Sequence, residues 1–314
     1  MNNNTGELKN FVSLLNTIFE KEPKHLWKCY YKNFIKNNKW CIASDYCLDA
    51  KNKINNCFVY TIFPYIDFNF LQEKINEVMS KDIKNVSKIN QSTIDMLKNP
   101  FFFTIAFIIN DKNLFYKNKS ENFNEKDFIN FQVKNTYETC LRKVPKIAKK
   151  LKLLLKETEK NNFNKKLYSN IFWNSILAAY VNNFIYRYTK RTNGTIWVSD
   201  RDDMCNYCNG ILFDLYNIDT SSMHQINKTK IPKNNKLAIC KEGDSCFDFD
   251  KIVRIPDYFA GTISSTDFKT NMVDKEKHLK MIVDIIADNP RLIIVELFIE
   301  NEKLLCRKIK LNKI

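Results

Sequence analysis

Nine residues constrain this chain more than any others: Thr195-Ile-Trp-Val-Ser-Asp-Arg-Asp-Asp203, an apolar run that stops abruptly on an acidic cluster. That is how a buried strand delivers carboxylates to the rim of a sheet. A shorter echo stands at Trp40-Cys-Ile-Ala-Ser-Asp45. Side chains alternate across a strand, so Ile196, Val198 and Asp200 share one face, as do Cys41, Ala43 and Asp45. If the two strands are neighbours, two carboxylates stand side by side. A third candidate lies in Arg254-Ile-Pro-Asp-Tyr-Phe-Ala-Gly261, where Pro256 and Asp257 read as the first turn of a helix. Three such carboxylates repel one another, and a divalent cation is the usual remedy.

The order of periodic segments predicts an α/β fold. Residues 7–36 read as a helical cap, followed by strands at 40–44 and 57–65, a helix at 70–83 and a buried strand at 101–109. From about 124 to 190 the pattern turns helical: one helix to Cys140, a break at Pro145, a second over 147–160 and a third over 166–190. After the acidic strand, a helix is expected at 204–215, a loop at 217–235, and short strands at 236–240 and 249–255. Pro256 is expected to open the next helix, 271–288 reads as another, and 291–299 with 303–309 form a hairpin about Asn301-Glu302. The division is a cap (1–37), a mixed-sheet domain (38–268) with a helical insertion at about 124–190, and a C-terminal helix and hairpin (269–314).

Charge bears on the partner. The 314 residues carry a net +15, which favours a polyanion such as nucleic acid. Asn, Lys, Ile, Phe and Tyr crowd the chain while Gly occurs five times, so part of the lysine excess is a compositional bias. No run approaches the roughly 18 apolar residues of a membrane span, and no leader pattern precedes the first helix, so a soluble cytoplasmic protein is expected. Ten scattered cysteines, many inside apolar runs, suit reduced core thiols.

The acidic set is the main chemical signal. Asp45, Asp200 and Asp257 offer the hard oxygen ligands that Mg²⁺ or Mn²⁺ prefers. Two such ions about 3.5–4 Å apart would activate water and steady the leaving oxygen of a phosphodiester. The plainer reading is that Asp200 and Asp203 cap the following helix and Asp257 complements a helix N-terminus.

Order and motifs resemble the RNase H-like superfamily, and within it a widespread bacterial family described as a domain of unknown function. Its members have a first strand ending in Asp, a second Asp on a later strand, and a closing helix that begins Ala-Asp-aliphatic-aliphatic-Ala-Gly. Ile42-Ala-Ser-Asp45, Ile196-Trp-Val-Ser-Asp200 and Ile255-Pro-Asp-Tyr-Phe-Ala-Gly261 are similar to these three, over most of 38–268. The resemblance implies a metal-dependent nuclease acting on DNA or RNA, with a role in defence against phage or other foreign nucleic acid. Asp45, Asp200 and Asp257 would hold the metal and Asp203 would assist, with Asp202 and Asp49 as other candidate ligands. Two departures stand out: the family's Asp-Glu-Ser-Gly is here Asp45-Tyr-Cys-Leu48, and Pro256 replaces an alanine. The alternative they imply is a catalytically silent nucleic-acid-binding or regulatory subunit.

Cys205 and Cys208, with Cys240 and Cys246, have an irregular zinc-like spacing, and His224 would substitute for one ligand. Two thiols at i and i+3 of one helix are more simply packed core residues, and that reading is preferred to structural Zn²⁺. Basic segments at 142–152, 186–191 and 228–236 offer a phosphate-binding groove with interleaved tyrosines; Arg187, Lys190 and Arg191 are favoured because they directly precede the acidic strand. The competing reading is a solvated helix face. The aromatic helix 172–188 fits a core element, or a face for a homodimer or protein partner. His25, His224 and His278 sit in no triad context, and no nucleophile elbow or phosphate-cradling glycine loop is present.

Overall fold

The computed structural model describes residues 2–111, 125–200, 202–230, 234–239, 249 and 251–312. Two helices open the chain where one was expected: α1 (Asn2–Phe19) and α2 (Glu22–Lys32), parted because Pro23 lies in the first turn of α2 and cannot continue the α1 hydrogen-bond ladder. Then come β1 (Lys39–Cys47), β2 (Cys57–Pro64), α3 (Phe68–Val78), α4 (Gln91–Leu97) and β3 (Phe103–Ile109). The helical section is α5 (Glu125–Lys143), α6 (Pro145–Glu159) and α7 (Lys165–Tyr188). It leads into β4 (Gly194–Ser199), α8 (Asp203–Asn206), α9 (Ile211–Ile226), β5 (Asn234–Ile239) and α10 (Arg254–Ser264). A two-residue ladder of β6 (Thr266–Asp267) and β7 (Met272–Val273) precedes α11 (Glu276–Met281), β8 (Leu292–Glu300) and β9 (Lys303–Ile309).

Among the described residues, one mixed sheet of seven strands organises the fold, in the order β5-β4-β1-β2-β3-β8-β9. β1, β2 and β3 form an antiparallel meander; β4 joins parallel to β1, β5 parallel to β4, β8 parallel to β3, and β9 closes antiparallel to β8. The expected C-terminal hairpin is therefore continuous with the sheet. Its turn residues Asn301 and Glu302 both have positive φ (48° and 61°), the conformation of a tight two-residue hairpin turn.

Strict alternation splits the central strands between two cores. Trp40, Ile42, Phe58, Tyr60, Phe103, Phe107 and Trp197 face a large aromatic core covered by α1, α2 and α5 to α9. Cys41, Ala43, Val59, Ala106 and Val198 face a smaller core under α3, α4, α10 and the π-helical turn Ile282–Ile286. α7 is buried all round from Ile171 to Ile185 except at Phe172, as expected of a helix held between a sheet and other helices. The aromatic helix is thus a core element. Among the described residues, no helix is long and apolar enough to cross a membrane.

Four further expectations are corrected. The helix at 204–215 is broken, because Cys208, Asn209 and Gly210 all take positive φ, so Cys205 and Cys208 do not share a helix. The loop at 217–235 is instead helical to Ile226: Tyr216, Thr220, Met223 and His224 form one buried stripe whose polar members hid the periodicity. The 249–255 strand does not form, since α10 begins at Arg254 after a turn at 251–253, and Pro256 still falls within the first turn, where no donor is lost. Likewise 271–288 holds only α11 and the π-helical turn.

Candidate metal centre

Register decides whether the two strand-end aspartates meet. β1 and β4 pair in parallel with Ala43 opposite Val198 and Ser44 opposite Ser199, and Asp200 N–H donates to the Ser44 carbonyl at 3.0 Å. One step further, Asp45 and Asp200 stand level, on the side of the sheet that α10 covers. Facing the other core, the Tyr46 hydroxyl bonds the Ser44 and Ser199 hydroxyls (2.6 and 2.7 Å), and Trp197 Nε1 donates to Ser44 Oγ at 2.8 Å. These bonds tie β1 to β4 directly beneath the paired acids.

α10 brings the third acid. Its C-terminal carbonyls are satisfied by the loop before β2: Ile54 N and Asn55 N donate to Ser264 O, Asn55 Nδ2 to Ile263 O, and Lys53 Nζ to Gly261 O at 2.9 Å. Cys57 Sγ donates to Ala260 O at 3.2 Å. The helix is thereby laid across β1 and β2 with Asp257, in its first turn, over Asp45. The segment 79–86 is stitched to its other side: Ile83 N donates to Asp257 Oδ2 (2.7 Å), Arg254 to Met79 O (3.0 Å) and Tyr258 Oη to Lys81 O (3.2 Å). Gly261 permits this approach, because a Cβ there would overlap Ile83 Cγ2. Gly261→Ala is expected to cost about 1–3 kcal/mol, read as a lower urea midpoint; an unchanged midpoint would mean that the Ile83 turn yields freely.

The three acids form one electrostatic unit. Burial, then the Asp257 and Asp200 charges, hold the Asp45 carboxyl well above the usual carboxylate range, against the Tyr46 N–H that favours its anion. Asp257 is raised to about 6 by burial, opposed by the Ile83 N–H and reinforced by Asp82 and Asp200. The Asp257 carboxyl raises Asp45, while the Asp45 carboxyl lowers Asp257, so Asp45 is the one of the two pushed further toward its neutral form. Asp202 is raised to about 7 by burial and by Asp200.

Asp45, Asp200 and Asp257 are therefore brought together, and Asp203 is not. It is exposed at the start of α8 and shifts none of these groups. Asp202, whose carboxylate accepts from Met204 N at 2.9 Å, is the residue that caps α8 and stands within reach of the Asp200 charge, while Asp82 is the further acid whose charge reaches Asp257. Asp82 carries no sequence signal, since only the docking of 79–86 on α10 makes it a neighbour. Asp49 turns away to Lys166 (3.6 Å) and Asn170 (3.4 Å) on α7. Among the described residues, no three acidic, thiol or imidazole side chains have the spacing of a ready ligand set. Burial and repulsion among the acids push Asp45 and Asp257 toward their neutral forms, a cost that a cation between them would relieve.

Arg187, Lys190 and Arg191 lie at the opposite end of β4 from this cluster. They precede β4, whereas Asp200 follows it, a separation of about 20 Å at the usual rise per residue. Arg187 is committed to Glu20, to Asn16 Oδ1 (2.5 Å) and to the Tyr188 ring. The basic α6 covers the other core. Of the cysteine set, Cys240 and Cys246 lie outside the described residues. Cys205 donates inward to Asp200 O at 3.2 Å, and burial with the Asp202 charge pushes its thiol up to about 12. His224 is buried on Thr229 (2.6 Å), its pKa held down to about 4 by burial.

A pH prediction follows. The acids bind protons more tightly folded than unfolded, so the stability they contribute is full below about pH 4 and is lost as pH rises through about 6 for Asp257 and about 7 for Asp202. Buried His224 and His278, both held near 4, act in the opposite sense only below about pH 6.5. Thermal melts without metal are therefore expected to show Tm falling by several degrees from about pH 6.5 to 8.5, and falling less in Asp202→Asn. A flat profile would contradict the buried placement of these acids.

The chain matches no family model, no curated protein and no solved structure in any of the three comparisons made.

Proposed function

We propose that the protein is a divalent-metal-dependent nuclease built on an RNase H-like core, cleaving DNA or RNA. The observation that carries this reading is the convergence of Asp45, Asp200 and Asp257 from two adjacent parallel strand ends and one crossing helix. An antiparallel β1-β2-β3 meander flanked by parallel β4 and β5, with the last acid on a following helix, supports the RNase H-like assignment. The donor set, hard carboxylate oxygens close enough to raise one another's pKa, fits Mg²⁺ or Mn²⁺. Asp45, Asp200 and Asp257 would hold the ion, with Asp202 beside them. Bound there, it would lower the pKa of a water and neutralise the charge developing on phosphate oxygens.

The chain's own groups prepare that site. Ile83 N–H fixes one oxygen of Asp257, Tyr46 N–H favours the Asp45 carboxylate, and Met204 N–H holds Asp202. Asp45 and Asp257, both raised, must be ionised to act as ligands, so metal affinity is expected to rise with pH. The departure at Tyr46 does not remove a ligand from this face: the side chain at 46 points into the opposite core, onto Ser44 and Ser199. This favours a working site over a silent subunit.

The test is calorimetric titration of Mn²⁺ near pH 8, followed by incubation with labelled single- and double-stranded DNA and RNA. Saturable binding and metal-dependent cleavage are expected. Metal binding with all four substrates left intact would overturn the nuclease reading in favour of the silent subunit.

A further inference from the structure

Beside the acidic cluster lies a cleft of about 520 Å³ between the Lys84–Ser87 turn and residues Lys275, Glu276 and Lys277. We propose that it is a phosphate subsite which holds the backbone of a polynucleotide next to Asp45, Asp200 and Asp257; the inference rests on the nuclease reading and names where its substrate strand is gripped.

Three observations carry it. First, the lining is cationic and rich in donors, with Lys84, Lys275 and Lys277 beside Asn85 and Ser87. The acids nearby are Asp257, whose charge reaches Lys277, Glu276, exposed on α11, and Asp82, 3.8 Å from Lys84 in an open pair. Second, Lys277 is only 7% exposed, yet it has no ion pair among the described residues. Its Nζ donates to Ile83 O (2.6 Å) and Val86 O (2.7 Å), which uses two of its three donors. The Asp257 charge reaches it, but no carboxylate among the described residues touches its Nζ, so its third donor is left for an anion. Third, one residue links cleft and cluster: Ile83 gives its N–H to Asp257 and its carbonyl to Lys277. A phosphate in the cleft would therefore lie a single residue's backbone away from the acids.

The arrangement also answers a problem of charge. A cluster of aspartates repels a phosphate backbone, so a strand led across it needs cations immediately alongside. Lys190 and Arg191, a strand's length away, do not meet that need, whereas Lys84 and Lys275 do.

The experiment is binding of a fluorescent single-stranded 15-mer oligodeoxynucleotide in EDTA at several salt concentrations. Three proteins are compared: wild type, Lys84→Ala/Lys275→Ala, and Lys190→Ala/Arg191→Ala, which removes the same charge at the far end of β4. The first variant is expected to bind about tenfold more weakly, with the salt slope reduced by about 1.4 for two lost phosphate contacts. The second is expected to match wild type. Equal weakening in both variants, or none in either, would overturn the subsite. Cleavage with Mn²⁺ is read separately. Selective loss of binding in a protein that never cleaves would keep the subsite and end the nuclease reading. Undiminished cleavage and KM in Lys84→Ala/Lys275→Ala would do the reverse.

Discussion

Asp200→Asn is expected to lower metal-dependent cleavage by roughly 10²–10³-fold or more while leaving the protein folded. The register holds residue 200 through its backbone N–H to Ser44 O, so the side-chain change leaves the strand pairing untouched. An amide keeps the shape of the carboxylate but withdraws a full negative charge from the place where the cation would sit, and a neutral oxygen is a poor ligand for a hard ion. Removing that charge also relieves Asp45 and Asp202, both raised by it, so Tm without metal is expected to hold or rise. Loss of cleavage with a retained or higher Tm is the signature of a ligand. Loss of both would mark Asp200 as a structural residue, and full activity would remove it from the mechanism. Oligonucleotide cleavage and thermal melts on the same preparation separate the three.

Trp27→Ala is expected to cost about 3–5 kcal/mol, the largest effect on stability from a single side chain away from the acids. Trp27 is fully buried on α2, with its ring 5.2 Å from Phe103, 5.3 Å from Trp40 and 5.5 Å from Phe184. It thus joins α2 to β3, β1 and α7 at once, and alanine would leave a cavity between layers that cannot close up. Among the described residues its Nε1 has no hydrogen-bond partner, so Trp27→Phe gives up little polar bonding and is expected to cost much less than alanine. Urea unfolding of both variants checks this, and equal costs would show that the indole fit, rather than the bulk of the ring, holds α2 in place.

The acidic site was legible to the extent that it rests on local periodicity. Asp45 and Asp200 lie on one face because side chains alternate and each strand runs unbroken to its acid, and both facts stand in the sequence. Asp257 was legible because Pro256 marks a helix start. The misplacement of Arg187, Lys190 and Arg191 had a readable remedy, since residues before a strand lie at its opposite end from those after it. Asp203 was preferred to Asp202 because capping residues and ligands are the same residue types, and one step along the backbone decides which way each points.

The sequence by itself determined the alternation that separates the two cores, the order of most elements, the hairpin about Asn301-Glu302, and which carboxylates stand at strand ends. These follow from periods of 2 and 3.6 residues and from proline's fixed φ, which act over a few residues. Tertiary structure alone decided the rest. Strand order made β1 and β4 neighbours, burial against α7 kept α9 helical through Thr220 and His224, and the docking of 79–86 on α10 brought Asp82, Ile83 and Lys277 to the site. Those contacts join residues up to about two hundred positions apart. They are selected by the shape and charge of surfaces that exist only once the layers have packed.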